Sequence, residues 1–411
     1  MGATSIFQLS SPTQTYYEEN NQMAAWGSVV LAASHSALST LSYQIDTTSN
    51  VHSSFVENGQ LNGQIPAYEA TNSVALVQDL GTAFESTSAT FAVGQYRTHV
   101  VDYTNQEQVA YHMSQYGDVF EATNGFLEDY ESAYLESQSL DKQIQQASEA
   151  VSSNYSDLTS AAMRQVFGAM EVTLPSNNLK ADPYVFLKEI STDGNGYADY
   201  LVDTGIDQQF QLDTVDAVPA SFNQTNLAIA SAIGLSAYGA LFGQENYTQQ
   251  AQTFVTEIYT NGLGTDAPGT SATHFTYNYH DSTSWGTIFN FFPDALLDLN
   301  TFPTSAVSMQ CDWYNEQKTS VGIPFASSKV ELDEENGMWE MWVAATCPGA
   351  LQETIINDEW AFLMNGKNTA PFPDRFYVTP PNAGVFDTTR ARPTLGTTFS
   401  LLAKNGFAVS W

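Results

Sequence analysis

The periodicity of the apolar residues changes once along this 411-residue chain, and that change limits what it can fold into. Up to about residue 120 the apolar positions come in short, partly β-branched runs: Ser28–Ala33, Leu41–Ile45, Val74–Val77 and Thr90–Val93. Asn58-Gly59 and Asn62-Gly63 read as turn signals between them. Beyond Asn124 the period becomes helical. Phe126, Tyr130, Ala133 and Tyr134 fall at i, i+4, i+7 and i+8, behind a capping Thr123 or Asn124. Helical spacing recurs over Leu140–Val151, Leu158–Met170, Leu227–Phe242, Ala251–Tyr259, Thr287–Leu299, Ser305–Gln317 and Trp339–Thr346. From Asn365 onward Pro, Gly and Thr become more frequent, and Phe399–Ala403 is a last apolar stretch. This order predicts an α+β chain: an antiparallel β-rich domain over 1–120, then an α-helical domain over 121–411.

Charge narrows the partners. Acidic residues number 45 and basic residues 12, a net charge of −33. The acid content is ordinary, so the imbalance is a shortage of cations. A field of this sign repels phosphate backbones and anionic bilayers, which argues against nucleic-acid and membrane partners. The longest acidic cluster, Glu331–Glu335, is interrupted by Leu332, so no disordered acidic tail is expected. No apolar run reads as long enough to span a bilayer. Met1-Gly2-Ala3-Thr4-Ser5 lacks the basic start and apolar stretch of a signal peptide. Sequons at Asn154, Asn223 and Asn246 are candidate glycosylation sites, and together with the low charge they suit an extracellular protein. Cys311 and Cys347 form either one disulfide or two buried thiols.

Familiar catalytic and metal motifs are missing. The six histidines show no ligand spacing, so no metal is expected. Asp193-Gly194-Asn195-Gly196 is a turn, because Ser191 and Val202 stand where a calcium loop needs carboxylates. What remains is aromatic and carboxylate-rich. Trp285, Trp313-Tyr314, Trp339-Glu340-Met341-Trp342 and Trp360 crowd the last third, and they form either the walls of a concave site or core. Glu340 is either a carboxyl of raised pKa between aromatics, useful as an acid or base, or a surface residue of an amphipathic helix. The helical pattern alone favours the surface.

Several ordered stretches resemble fungal glutaminase A-type proteins. They include Ala25-Trp26-Gly27, Phe55-Val56-Glu57-Asn58-Gly59, Arg164-Gln165-Val166-Phe167-Gly168-Ala169 and Phe186-Leu187-Lys188-Glu189-Ile190. Further along stand Asn223-Gln224-Thr225-Asn226-Leu227-Ala228, Gly322-Ile323-Pro324, Met309-Gln310 with Trp313-Tyr314, Trp339-Glu340-Met341, and Ala391-Arg392-Pro393. The resemblance implies a β-sandwich-like N-terminal domain, here shortened, followed by a six-hairpin α/α toroid. It also implies secretion. After Asn195 the chain passes almost directly to Tyr197, where the family carries a further segment of roughly a hundred residues, a domain-sized loss. The toroid is therefore expected to be incomplete. An open side would expose helix faces that a ligand or a second copy of the chain could cover.

Polar positions near the toroid's mouth also depart from the family. The chain reads Thr214-Val215-Asp216-Ala217 for Thr-Asp-Asp-Phe, and Phe325-Ala326-Ser327-Ser328 for Leu-Asp-Ser-Arg. Met338 replaces the Asp before Trp-Glu-Met. The resulting expectation is a degenerate, non-catalytic glutaminase A-like protein that binds a small molecule such as a pigment or metabolite. Trp285, Gln310, Trp313, Tyr314, Trp339, Trp342 and Asn226 are its candidate ligand-binding residues. The alternatives are an L-glutamine amidohydrolase, with Glu340 and Asp216 as acid and base, and a structural or storage protein.

Overall fold

The computed structural model describes residues 3–10, 26–35, 40–65, 72–81, 88–187, 198–210, 220–327, 334–368, 371–387 and 393–409. They form two compact units, residues 1–138 with 171–186, and residues 139–170 with 187–411.

In the first unit, β1 (Ala3–Ser10), β2 (Ser28–His35) and β5 (Phe91–Tyr96) make an antiparallel sheet in the order β1-β2-β5. Its register sets Ile6 opposite Ala32 and Ala32 opposite Ala92. Alternation therefore gathers the small apolar residues on one face, where they pack with Val119 and Leu127 of α2 (Val119–Glu128). A hairpin of β3 (Thr40–Thr47) and β4 (Asn72–Asp79) is separate. A third sheet runs β6 (His99–Tyr103), β7 (Gln106–Ala110), β8 (Met170–Pro175), β9 (Tyr184–Leu187).

Three features of this unit differ from the sequence expectation. Between β3 and β4 the chain forms α1 (Thr48–Asn58), and Asn58-Gly59 is its C-terminal cap rather than a hairpin turn. Gly59 takes φ 64°, a left-handed cap that glycine adopts without a Cβ clash. Because α1 buries no residue, its sequence carries no apolar stripe. Second, α2 starts at a different cap. Asp118 accepts hydrogen bonds from the Phe120 and Glu121 amides at 2.8 and 2.9 Å, and Thr123 lies inside the helix. The buried face is Val119, Thr123 and Leu127, whereas Phe126, Tyr130 and Tyr134 are exposed. Third, the division between units falls at residue 138 within α3 (Tyr130–Glu149), not at 120, and residues 171–186 belong to the first unit. The reason is strand pairing: Val109 of β7 stands opposite Leu174 of β8.

The second unit contains α4 (Ser153–Ala169), α5 (Ala198–Thr204), α6 (Thr225–Phe242), α7 (Glu245–Val255), α8 (Phe291–Leu296), α9 (Thr304–Gln317), α10 (Gly337–Thr346), α11 (Ala350–Met364) and α12 (Ser400–Lys404). A small ribbon of β10 (Glu334–Asn336) and β11 (Arg375–Tyr377) accompanies them. Helices α6 and α7 form a tight hairpin. Gly243 ends α6 at φ 65°, and a Cβ on Gly239 would stand 2.4 Å from Thr248 Oγ1, so glycine permits the close approach. One core joins α4, α10, α11 and α12 through Leu158, Met341, Ile355 and Leu402. Another joins α6 and α7 to Phe275, Phe291 and Phe302.

Within Thr287–Leu299 only Phe291–Leu296 is helical. Thr287 and Ile288 are held instead by hydrogen bonds from their amides to the Phe325 carbonyl and the Tyr314 hydroxyl. Helix α6 corrects the expectation about apolar runs. Its 18 residues have mean hydropathy 1.4, long and apolar enough to cross a membrane by length and composition, yet 56 % of that stretch is buried within the protein. Cys311 of α9 and Cys347, just after α10, form a disulfide with Cα atoms 5.7 Å apart, which decides between the two readings of the pair.

Candidate functional site

The site expected from sequence centres on α10. Gly337–Thr346 places Glu340 and Ala344 on one side, and Glu340 is fully buried rather than on the surface. Among the described residues neither carboxyl oxygen has a hydrogen-bond partner. Burial, reinforced by the negative charge of Glu359 and Asp358, holds the Glu340 pKa well above the ordinary carboxyl range. The side chain therefore keeps its proton at pH values where an exposed Glu has lost it. Burial also raises the Asp358 carboxyl, against the opposing pull of Lys318.

The expected aromatic residues are packed on one another. The Trp339 ring stacks on Phe289 at 4.1 Å, and Trp342 meets Trp339 edge-on at 5.0 Å and Phe292 at 5.0 Å. Phe325, Ala326, Tyr277 and Phe289 complete this cluster. Trp285 meets Trp313 edge-on at 6.4 Å. Trp313 stacks on His274 at 4.0 Å.

Polar members of the set serve the backbone. Gln310 Oε1 accepts from the Phe275 amide at 2.8 Å, and the Tyr314 hydroxyl accepts from the Ile288 amide at 2.6 Å. Burial raises the Tyr314 phenol well above its ordinary value. Asn226 holds Asn290 through both its side chain and its carbonyl. The gap bounded by Asn226, Thr276, Tyr277, Gly286, Thr287, Ile288 and Phe325 has no room for a water molecule. Asp216 lies outside the described residues, as do Ser328 and Arg392. Of the sequons, Asn246 is exposed, Asn223 is half-buried, and Asn154 is half-buried with its amide donating to Asn357 at 2.7 Å.

Two features were not singled out from sequence. Glu359 on α11 sits on the buried face with Ile355, Ile356 and Phe362, so the 3–4 spacing does carry the signal once α11 is recognised. Buried His274 and half-buried Asp266 form a second pair, Nδ1 to Oδ2 3.8 Å. Burial lowers the His274 pKa against the opposing pull of Asp266. For Asp266 burial acts upward, but hydrogen bonds from Thr273 and His274 outweigh it and lower its pKa. His274 Nε2 lies 3.2 Å from the Ser284 carbonyl, so both ring nitrogens are occupied and the pair is structural. Among the described residues no three His, Cys, Asp or Glu side chains converge as metal ligands.

A helical unit with two buried glutamates and a separate β-rich unit define an α+β protein of helical-hairpin type. The chain belongs to the glutaminase A six helical-hairpin domain family, which matches residues 152–196 and 195–402. The two matched pieces meet at residue 195, where the segment expected from the family is missing. Residues 1–147 match a domain of unknown function, DUF5127. Among curated proteins, Glutaminase A of Aspergillus oryzae is 23% identical over a 506-residue alignment that covers 95% of this chain and 72% of that protein. Since 95% of 411 residues is about 390, roughly 116 of the 506 positions face no residue here.

Proposed function

We propose that this chain is a glutaminase A-like protein that has kept the helical-hairpin fold, has lost amide hydrolysis, and acts by binding a small molecule, a pigment or other metabolite, in an extracellular or secretory setting. The full burial of Glu340 carries this reading. A general acid or base must come within hydrogen-bond reach of substrate and water. Glu340 has no exposed surface. Phe325 and Ala326, in the apolar cluster that Trp339 and Trp342 pack against, stand where the resemblance expects Leu and a polar Asp. The Cys311–Cys347 disulfide supports an oxidising compartment.

One observation favours a second reading, retained hydrolysis of the L-glutamine side-chain amide, the substrate that the relative's name carries. Glu340 and Glu359 are both buried acids in one helical core, and a buried acid of raised pKa such as Glu340 is often catalytic. Ammonia release from L-glutamine by the purified protein separates the two. No release above the enzyme-free blank is expected. Release that disappears in Glu340→Gln overturns the leading reading. Native mass and the visible spectrum of protein purified from its own source test the binding half; a clean, colourless chain argues against it.

A further inference from the structure

The three-stranded sheet of the first unit ends on β5, whose outer edge has no partner strand among the described residues. The register shows what that edge offers. The Ser34 amide donates to the Thr90 carbonyl at 3.4 Å, so Thr90, Ala92, Gly94 and Tyr96 bond inward to β2. Phe91, Val93 and Gln95 therefore turn their N–H and C=O groups outward. Edge strands are commonly guarded against further pairing by a charge, a proline or a bulge. Phe91–Tyr96 has no charged residue and no proline, and its register with β2 is unbroken. We propose that β5 and α2 form a docking groove for an extended, basic peptide segment of a partner protein, which joins the sheet as a strand beside β5. The proposal goes beyond the reading above and does not depend on it.

A groove of about 400 Å³ lies between β5 and α2. The consecutive residues Val93, Gly94, Gln95 and Tyr96 all line it, although side chains along a strand alternate between the two faces of the sheet. The groove therefore follows the edge of the strand rather than one face. Ala122, Thr123 and Phe126 of α2 form its other wall. A chain laid here can pair with an edge strand through its backbone and meet a helix with its side chains. Gly94 supplies the room, since a Cβ there would meet nothing within 4 Å. On the opposite face the cross-strand neighbours are Phe91 and Val93, 47% and 80% exposed. An added strand with apolar side chains would cover both.

Charge selects the partner. Asp129, exposed just after α2, lines the groove, and among the described residues no Lys or Arg does. The whole chain carries a net charge of −33. A basic segment is drawn to such a surface and finds a carboxylate at the groove itself, whereas a second copy of this acidic chain is repelled. The occupant is therefore a segment of a different protein, apolar in its middle and with Lys or Arg at its ends. Its paired length matches the six residues of β5.

The test uses the full chain and a fluorescently labelled peptide, Lys-Val-Thr-Leu-Thr-Val-Lys. Saturable binding is expected in fluorescence anisotropy, weakening as salt is added. The same peptide with Glu in place of both Lys should bind at least about tenfold more weakly. Amide hydrogen exchange then locates the pairing. With the Lys peptide bound, the amides of Val93 and Gln95 should exchange at least about tenfold more slowly, while those of Ala92 and Gly94, already bonded to β2, change little. Val93→Pro removes an outward N–H without touching the ladder to β2, and should weaken binding about tenfold with the far-ultraviolet circular dichroism unchanged. Should Val93→Pro fail to fold, the exchange pattern of the wild type still decides. Absence of saturable binding, equal binding of the Glu peptide, or binding that leaves Val93 and Gln95 exchange unaltered overturns the proposal. So does undiminished binding to well-folded Val93→Pro. None of these results bears on glutamine hydrolysis or on small-molecule binding by the helical unit.

Discussion

Glu340→Gln should make the helical unit more stable, and increasingly so as the pH rises. The native carboxyl has no hydrogen-bond partner among the described residues and lies near the acids Glu359 and Asp358. Its folded pKa is therefore above its unfolded one. The folded state then binds more protons than the unfolded state between the two values, and stability falls with rising pH across that window. The window opens near the ordinary Glu value of about 4.3, and inside it one fully shifted group costs about 1.4 kcal/mol per pH unit. Below the window both states are protonated, and the full stability is present. Glutamine has nearly the same shape and cannot ionise, so it removes the slope without opening a cavity.

The assay is urea unfolding of both proteins from pH 4 to pH 8, followed by tryptophan fluorescence. Six of the seven tryptophans belong to the second unit, so the signal reports on the unit that holds Glu340. The stability difference should be small at pH 4 and grow in favour of Gln at up to about 1.4 kcal/mol per pH unit. A difference independent of pH would refute the reasoning. A native protein that gains on Gln as pH rises would refute it more strongly, because Glu340 would then be an ionised group held by an unseen cationic partner.

Other expectations follow from local geometry. Replacing Cys311 and Cys347 together by Ser should lower the stability of the second unit by up to about 4 kcal/mol, the loop-closure value for a 36-residue separation, measured by the same urea series. Gly205→Ala should cost about 1–3 kcal/mol, since its Cβ would stand 2.5 Å from the Leu201 carbonyl oxygen and 2.7 Å from Ser231 Cβ; thermal unfolding reads this directly. Tyr155→Phe should cost about 1–2 kcal/mol, because the buried hydroxyl donates to the Thr398 carbonyl at 2.6 Å, and an unchanged melting temperature would remove that bond from the account.

The parts of the fold legible in sequence are those whose burial imprints a period. Strands β2 to β5 and helices α4, α6, α9 and α10 were each marked by apolar spacing that matches the structure to within a few residues at each end. Where burial is absent the imprint is absent as well, which is why α1 leaves no helical signal and only its end, Asn58-Gly59, stands out, as a turn. At α2 and α3 the exposed Phe126, Tyr130 and Tyr134 produced a convincing helical stripe on the wrong face. Aromatic residues on a surface mimic a core when only spacing is read. Helix α11 escaped for a different reason. Its buried face contains Glu359 among Ile355, Ile356 and Phe362, and an acid interrupts the apolar pattern at the position that matters most.

The same distinction explains how the helical unit can keep its family while single polar positions change. Packing depends on apolar spacing and tolerates exchange of one residue for another of similar size, whereas catalysis depends on a few polar atoms held in one geometry. Met341, Ile323 and Tyr314 are buried in the shared core, and the stretches that contain them are those that resemble the family. The departures at Phe325 and Ala326 fall beside the stacked Phe289 and Trp339, where an apolar side chain adds packing and a carboxylate would need a partner. An apolar pair at 325 and 326 thus adds packing without leaving a charge unpaired, and under the reading proposed above that exchange is tolerated because the fold needs only the packing.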